Sequence, residues 1–162
     1  MSETQFLALV QQHQGIIYKL VNLYAADPEE KRDLYQEILL QAWKGYASFR
    51  GEARFSTWLY RIALNTLLTH RRKVNRLDYH EDLEPVAGAT TADPAADEQR
   101  RRLYQALRSL NETDRAIVTL HLEGYDNTEI GTIMGITAGN ARVKLHRAKQ
   151  ELMNRLNPGY ES

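Results

Sequence analysis

The sequence predicts an all-α chain: two small helical domains joined by a flexible acidic linker, the C-terminal one containing a helix-turn-helix. Three observations predict it. Apolar residues recur at helical spacing, and no stretch alternates for long enough to make a strand. Glu81–Glu98, EDLEPVAGATTADPAADE, has no apolar period and is rich in Ala, Thr, Pro and acids, the composition of a tether. Asp126–Arg147, DNTEIGTIMGITAGNARVKLHR, reads as a short helix, a glycine turn and a longer basic helix. The expected boundaries are 1–76 for the first domain, 77–97 for the linker and 98–162 for the second.

The elements follow in order. Phe6, Leu9, Val10, Ile16, Ile17, Leu20, Val21 and Tyr24 keep helical spacing. Asp27-Pro28-Glu29-Glu30 then opens a second helix: Asp27 can cap, Pro28 suits the first helical position, and Glu30 stands three after the cap. That helix is expected to reach Trp43 with Leu34, Ile38 and Ala42 inward, and Gly45–Gly51 is expected to break it. A third helix is expected over Phe55–Arg72, with Trp58, Leu59, Ile62, Ala63 and Leu67 inward. After the linker, helices resume around Glu98, with Leu103, Leu107 and Leu110 on one face. Asn111 caps a helix that Gly124 stops. Asp126-Asn127-Thr128-Glu129 is a capping-box pattern for a short helix ended by Gly135. Thr137 caps a last helix to Leu156.

Charge is sorted rather than scarce. Over 162 residues, Lys+Arg and Asp+Glu are 21 each. Between Arg50 and Arg76 the only acid is Glu52. Leu77–Glu98 carries acids and no Lys or Arg, and Arg142–Arg155 is basic apart from Glu151. Two basic blocks around an acidic one suggest anion contacts at two places. There is no Cys, which excludes disulfides, thiol catalysis and cysteine zinc sites. MSETQFLALV lacks the basic start of a signal peptide, and no apolar run suits a membrane span. A soluble, cytoplasmic protein with no membrane insertion is expected.

In the C-terminal motif, Ile130, Ile133, Ile136, Ala141 and Leu145 form the expected seam, and Gly131 allows close passage of the second helix. The second helix of such a motif enters the major groove. Asn140, Val143, Lys144 and Arg147 lie largely opposite the seam. Asn can pair with adenine, Lys or Arg with guanine, and Val143 can touch a thymine methyl. Thr137 and Arg142 are better placed for phosphates.

In the N-terminal domain, FRGEARFSTWLYRIALN (Phe49–Asn65) mixes Phe49, Phe55 and Trp58 with Arg50, Arg54 and Arg61, next to His70-Arg71-Arg72-Lys73. Bases can stack on rings while arginines track phosphates, which suits single-stranded nucleic acid. A loop such as Ser48–Glu52 is also suited to hold a base pulled out of the stack. A duplex reader joined to a single-strand binder implies a protein that finds a DNA site and holds it melted. The chain has no P-loop, so a partner must contribute the energy.

DLYQEILLQAW (Asp33–Trp43), FRGEARFSTWLYRIALN and HRR closely resemble region two of bacterial sigma factors. LRSLNETDRAIVTLHLEGYDNTEIGTIMGITAGNARVKLHRAKQEL (Leu107–Leu152) resembles region four. Only the linker separates them, an arrangement similar to the extracytoplasmic-function branch. The resemblance implies that Asp33, Gln36 and Glu37 dock on the clamp coiled coil of the RNA polymerase β′ subunit; their spacing puts them on one helix face. It implies that Phe49, Arg50, Arg54, Phe55, Trp58, Arg61, Asn65, Arg71 and Arg72 capture the non-template strand of the minus-ten element. It implies that the last helix reads the minus-thirty-five element, and that the acidic linker runs toward the RNA exit path. The implied partners are RNA polymerase core (β′ clamp coiled coil and β flap), promoter DNA and an anti-sigma factor, with a monomer when free. Asn127 and Thr128 stand where the family often has an aromatic and an acid, and Gly131 where it usually has Ala.

Three other readings compete: an enzyme, a helix-turn-helix regulator without polymerase core, and a protein-interaction module that occludes polymerase without starting transcription, against which the base-reading face of the last helix argues. For an enzyme, the only acid–His cluster is His80-Glu81-Asp82, in the linker, where it cannot be held rigidly. No catalytic residue, cofactor or metal ligand is expected. A helix-turn-helix regulator acting without polymerase core predicts a dimer on a palindrome, and leaves the Asp33–Glu37 face and the Arg/aromatic stretch without a use.

Overall fold

The computed structural model describes residues 2–75 and 94–157, which fall in two compact units, Met1–Asp82 and Leu83–Ser162. All the regular structure among the described residues is helical. The first unit holds α1 (Glu3–Gln12), α2 (Gln14–Tyr24), α3 (Pro28–Tyr46) and α4 (Phe55–Asn75). The second holds α5 (Pro94–Ser109), α6 (Glu112–Leu122), α7 (Asn127–Met134) and α8 (Ala138–Leu156). The acidic segment 77–93 lies outside the described residues. Helix α5 starts four residues before the expected Glu98, because Pro94 fits a first helical turn, where no amide donor is needed.

In the first unit α2, α3 and α4 pack on one another, with α1 laid on α2. Ile17, Leu20, Leu34, Ile38, Leu59, Leu64 and Leu67 form the core. Each contributes about 1.5–3 kcal/mol by leaving water. The apolar N-terminal segment is two helices rather than one. The chain bends at His13 (φ −116°, ψ 14°), whose Nδ1 lies 2.9 Å from the Leu9 carbonyl oxygen. Nothing in QQHQG marks that bend beyond a weak helix-forming glycine. Lys19 Nζ donates to the Tyr60 hydroxyl at 3.2 Å, and burial pushes the lysine below its ordinary pKa.

Helix α3 starts as expected: Asp27 caps by accepting from the Glu29 amide, with Pro28 next. It does not stop before Gly45. The helix runs through that glycine to Tyr46, which is buried against Phe6, Phe49 and Trp58. Burying Tyr46 outweighs the roughly 1 kcal/mol that glycine costs inside a helix. Gly45 also lets α4 come close: a Cβ there would lie 3.1 Å from Ile62 Cδ1.

In the second unit α8 is the hub, touching α5, α6 and α7. Ala141, Leu145, Ala148 and Leu152 are its buried stripe, at helical spacing. Ile130 and Ile133 of α7 are buried, while Ile136 is only half-buried. Thr137 Oγ1 accepts from the Asn140 amide at 3.0 Å, so the expected cap is present.

Candidate nucleic-acid interface

The helix-turn-helix is α7, a turn at Gly135 and α8. Asp126 and Glu129 make the expected capping box: the Glu129 amide donates to Asp126 Oδ1 at 2.8 Å, and the Asp126 amide to Glu129 Oε1 at 3.0 Å. Gly135 ends α7 in the left-handed conformation (φ 74°). The turn closes on Gly131, whose carbonyl accepts from the Ile136 amide at 2.9 Å. A Cβ on Gly131 would lie 2.7 Å from the Ile136 carbonyl oxygen, closer than real Cβ atoms come. The glycine therefore sets how tightly the turn folds back.

With the stripe buried, α8 turns Asn140, Arg142, Val143 and Arg147 to solvent. Val143 is 43% exposed, high for an apolar side chain. Lys144 is half-buried at the margin of this face. Thr137 is exposed, and its oxygen is engaged as a cap, which leaves its hydroxyl hydrogen to donate outward.

One residue that holds this unit together was not singled out in the sequence. Arg115, 5% exposed on α6, donates through Nε to the Leu107 carbonyl at 3.1 Å and through Nη2 to those of Arg108 and Leu110 at 2.9 and 3.0 Å. Leu107 and Arg108 stand in the last turn of α5 and Leu110 just beyond it, where carbonyls run out of helical amides; that of Leu107 also accepts from the Leu110 amide at 3.1 Å. A guanidinium suits them because its donors are fixed in one plane. Arg108 is also buried; desolvation, and then the charge of Arg115, pull its pKa below the ordinary value, with Tyr104 opposing. The sequence signal was available: an Arg five residues after the last leucine of an apolar stripe, within a predicted first turn.

In the first unit the Phe49–Asn65 stretch separates by chemistry. The rings pack against each other at tilted and edge-on angles. Trp58 lies 5.2 Å from Phe49, 5.3 Å from Phe55 and 6.3 Å from Tyr46, and Phe55 also meets His13 at 5.1 Å, all between ring centroids. Phe55 is buried, while Phe49 and Trp58 are half-buried. Trp58 and Ile62 are thus only partly inward, short of the full burial expected. Arg50, Arg54, Arg61 and Asn65 are exposed. Trp58, Arg61 and Asn65, at i, i+3 and i+7, share one face of α4. Arg71 and Arg72 fall on the last turns of α4, and their side chains lie outside the described residues.

Asp33, Gln36 and Glu37 are exposed on α3. Glu37 Oε1 accepts from Gln41 Nε2 at 2.9 Å. Asp33 and Glu37 border a groove whose other wall is Asn65, Thr66, Thr69 and His70 of α4. His70 Nε2 lies 4.0 Å from Glu30 Oε1 beneath it. Leu40 and Trp43, 45% and 44% exposed, continue the Asp33–Glu37 face along α3. Sequence reading left both out of the site, because Leu and Trp at helical spacing normally mark a core.

Comparison with known proteins agrees with this arrangement. Residues 9–77 match the family Sigma-70 region 2, and residues 100–152 match Sigma-70, region 4. The chain is 30% identical to the RNA polymerase sigma-H factor of Pseudomonas aeruginosa, over 94% of this chain and 86% of that protein. It is 29% identical to the ECF RNA polymerase sigma-E factor of Escherichia coli K12, over 94% and 87%. The fold resembles that of the sigma factor RpoE in complex with the anti-sigma factor NepR from Bartonella quintana: TM-score 0.75, 19% identity, 96% of this chain and 99% of that one. It also resembles CnrH in complex with the cytosolic domain of CnrY, with TM-score 0.68, 20% identity, 98% of this chain and 92% of that one. The chain belongs to the sigma-70 family of RNA polymerase sigma factors. Within it, region 2 followed by region 4, with only residues 78–99 between the two matches, places the chain in the extracytoplasmic-function branch.

Proposed function

We propose that this sigma factor divides its work between its two units. The first, through residue 76, docks on polymerase core and captures the melted strand; the second, from Pro94 at the start of α5 to residue 162, reads the upstream duplex; 77–93 links them. Asp33, Gln36 and Glu37 face the β′ clamp coiled coil, with Leu40 and Trp43 as an apolar extension. The β flap meets the second unit. Phe49, Phe55 and Trp58 offer a ring platform, and Arg50, Arg54, Arg61, Arg71 and Arg72 hold phosphates of the non-template strand at the minus-ten element, with Asn65 beside them. Asn140, Val143, Lys144 and Arg147 meet base edges of the minus-thirty-five element, while Thr137 and Arg142 hold its phosphates. The free protein is a monomer in the cytoplasm. It is non-catalytic and needs no cofactor or metal, and an anti-sigma factor restrains it, as NepR binds the RpoE neighbour.

The observation that carries this reading is the division of α8. One side is a buried apolar stripe, and the other exposes Asn140, Val143 and Arg147, which have the chemistry of base recognition. Open-complex formation tests it. Purified core polymerase, with and without this chain, is given a pool of genomic promoter fragments, followed by permanganate footprinting and run-off transcription. Melting and specific initiation only with the chain present are expected. Duplex binding without core binding would instead make it a helix-turn-helix regulator that works without polymerase.

A further inference from the structure

Behind Phe49 and Trp58 stand two buried rings, Tyr46 and Phe55. Tyr46 lies 6.1 Å from Phe49 and 6.3 Å from Trp58, and Phe55 lies 5.8 Å from Phe49 and 5.3 Å from Trp58, between ring centroids. Each of these two rests on the N-terminal segment. The buried ring of Phe6, on α1, is 5.1 Å from Tyr46. The half-buried imidazole of His13, at the bend between α1 and α2, is 5.1 Å from Phe55 at an interplanar angle of 52°. Phe55 is the first residue of α4 and follows directly on the exposed residues 50–54, which carry Arg50 and Arg54.

His13 is held from several directions. Its amide donates to the Leu9 and Val10 carbonyls at 3.2 and 3.0 Å, and its carbonyl accepts from the Ile16 amide at 3.0 Å. Those backbone bonds close the bend without help from the side chain. The imidazole adds a further one, Nδ1 to the Leu9 carbonyl oxygen at 2.9 Å. A carbonyl oxygen only accepts, so Nδ1 carries the hydrogen. The ring cannot turn without giving up both that bond and its contact with Phe55, so the bond chiefly fixes the direction in which the ring faces. We propose that His13 is a positioning residue for strand capture: its ring holds Phe55 in place, and through Phe55 it sets where Phe49, Trp58 and the loop 50–54 meet a base. It acts through another side chain and touches the strand nowhere. The inference rests on the strand-capturing role of the Phe49–Asn65 stretch proposed above.

The test uses holoenzyme assembled from core polymerase and the full-length chain, on a promoter selected by run-off transcription. Three affinities are measured on folded protein: for core, for a duplex carrying the upstream sequence, and for a single-stranded oligonucleotide with the non-template sequence of the permanganate-reactive segment. His13→Ala is expected to weaken oligonucleotide binding by roughly two- to ten-fold, the range of one lost aromatic pair, and to leave the other two affinities unchanged. His13→Gln keeps an amide donor for Leu9 but no ring, and should behave like alanine. His13→Phe has a ring but no donor, and should recover most of the loss. If His13→Ala does not fold, the glutamine and phenylalanine variants carry the same comparison. Trp58→Ala is the control. If it weakens oligonucleotide binding while the His13 variants leave it unchanged, if glutamine rescues and phenylalanine does not, or if core and upstream binding fall equally, the positioning role is overturned and the ring platform stands. If Trp58→Ala also leaves oligonucleotide binding unchanged, the platform itself fails and the role of His13 falls with it.

Discussion

Gly131 and the carbonyl oxygen of Ile136 are so placed that any side chain on residue 131 would meet that oxygen: an ideal Cβ lies 2.7 Å away. The neighbour is backbone, held in the turn by the Ile136 amide to Gly131 carbonyl bond, so it cannot swing aside as a side chain would. Gly131→Ala gains about 1 kcal/mol of helix propensity. Forcing extra volume into a packed site costs about 1–3 kcal/mol. The net expectation is a lower melting temperature for the second unit and weaker upstream duplex binding. An unchanged or higher melting temperature would mean that the turn relaxes to admit the methyl group.

Arg115→Ala takes the guanidinium donor from the buried carbonyls of Arg108 and Leu110, and leaves that of Leu107 with the Leu110 amide alone. Leaving one buried polar group without its partner costs about 1–3 kcal/mol, and here three lose the same donor. The second unit is expected to lose a large part of its stability in denaturant titration, and DNA binding with it. Arg115→Lys should restore only part, since an ammonium cannot reproduce the planar fork. Full recovery with lysine would show that charge alone suffices.

Glu37 is exposed on α3, and its hydrogen bond partner is the neighbouring Gln41. Surface changes of this sort usually alter stability by less than about 0.5 kcal/mol. Glu37→Lys is therefore expected to leave the melting curve in place and to abolish binding to polymerase core in a pull-down or by calorimetry. Retained binding would remove Glu37 from the docking face.

Phe55 and Trp58 are expected to respond in opposite order in two assays. Large aromatic truncations cost about 3–5 kcal/mol when fully buried. Phe55 is buried and Trp58 only half-buried, so Phe55→Ala should cost more in thermal unfolding. Trp58 has the more accessible ring, so Trp58→Ala should be the more damaging in permanganate footprinting of the open complex, scored on folded protein. If both assays rank the two variants alike, the ring is structural support alone.

The architecture was legible because local signals agreed with the packing they sit in. Asp27-Pro28, Asn111, the Asp126–Glu129 box, Gly135 and Thr137 all cap where the sequence placed them. The misses came where a distant contact overrode a local cue. Gly45 reads as a stop until Tyr46 is seen buried beyond it. His13 bends a continuous apolar segment through a bond to Leu9 that periodicity does not record. Arg115 looks like one more surface cation, since the carbonyls that it satisfies lie on another helix. At the site, spacing was enough to find the exposed face of α8. It was not enough to divide the aromatic stretch into a buried Phe55 and accessible Phe49 and Trp58, because that depends on which side of α4 meets α3. The function came from the order of the two motifs, which no single element carries.

The ring cluster has a last consequence. Trp58 is braced by Tyr46, Phe49 and Phe55 before any ligand arrives. A side chain already confined by its neighbours has little rotational freedom left to give up when something stacks against it. Most of the ordering was completed when the chain folded. A visiting base would meet a prepared surface, and the affinity it gains there would depend on the stability of α3 and α4 as much as on the indole itself.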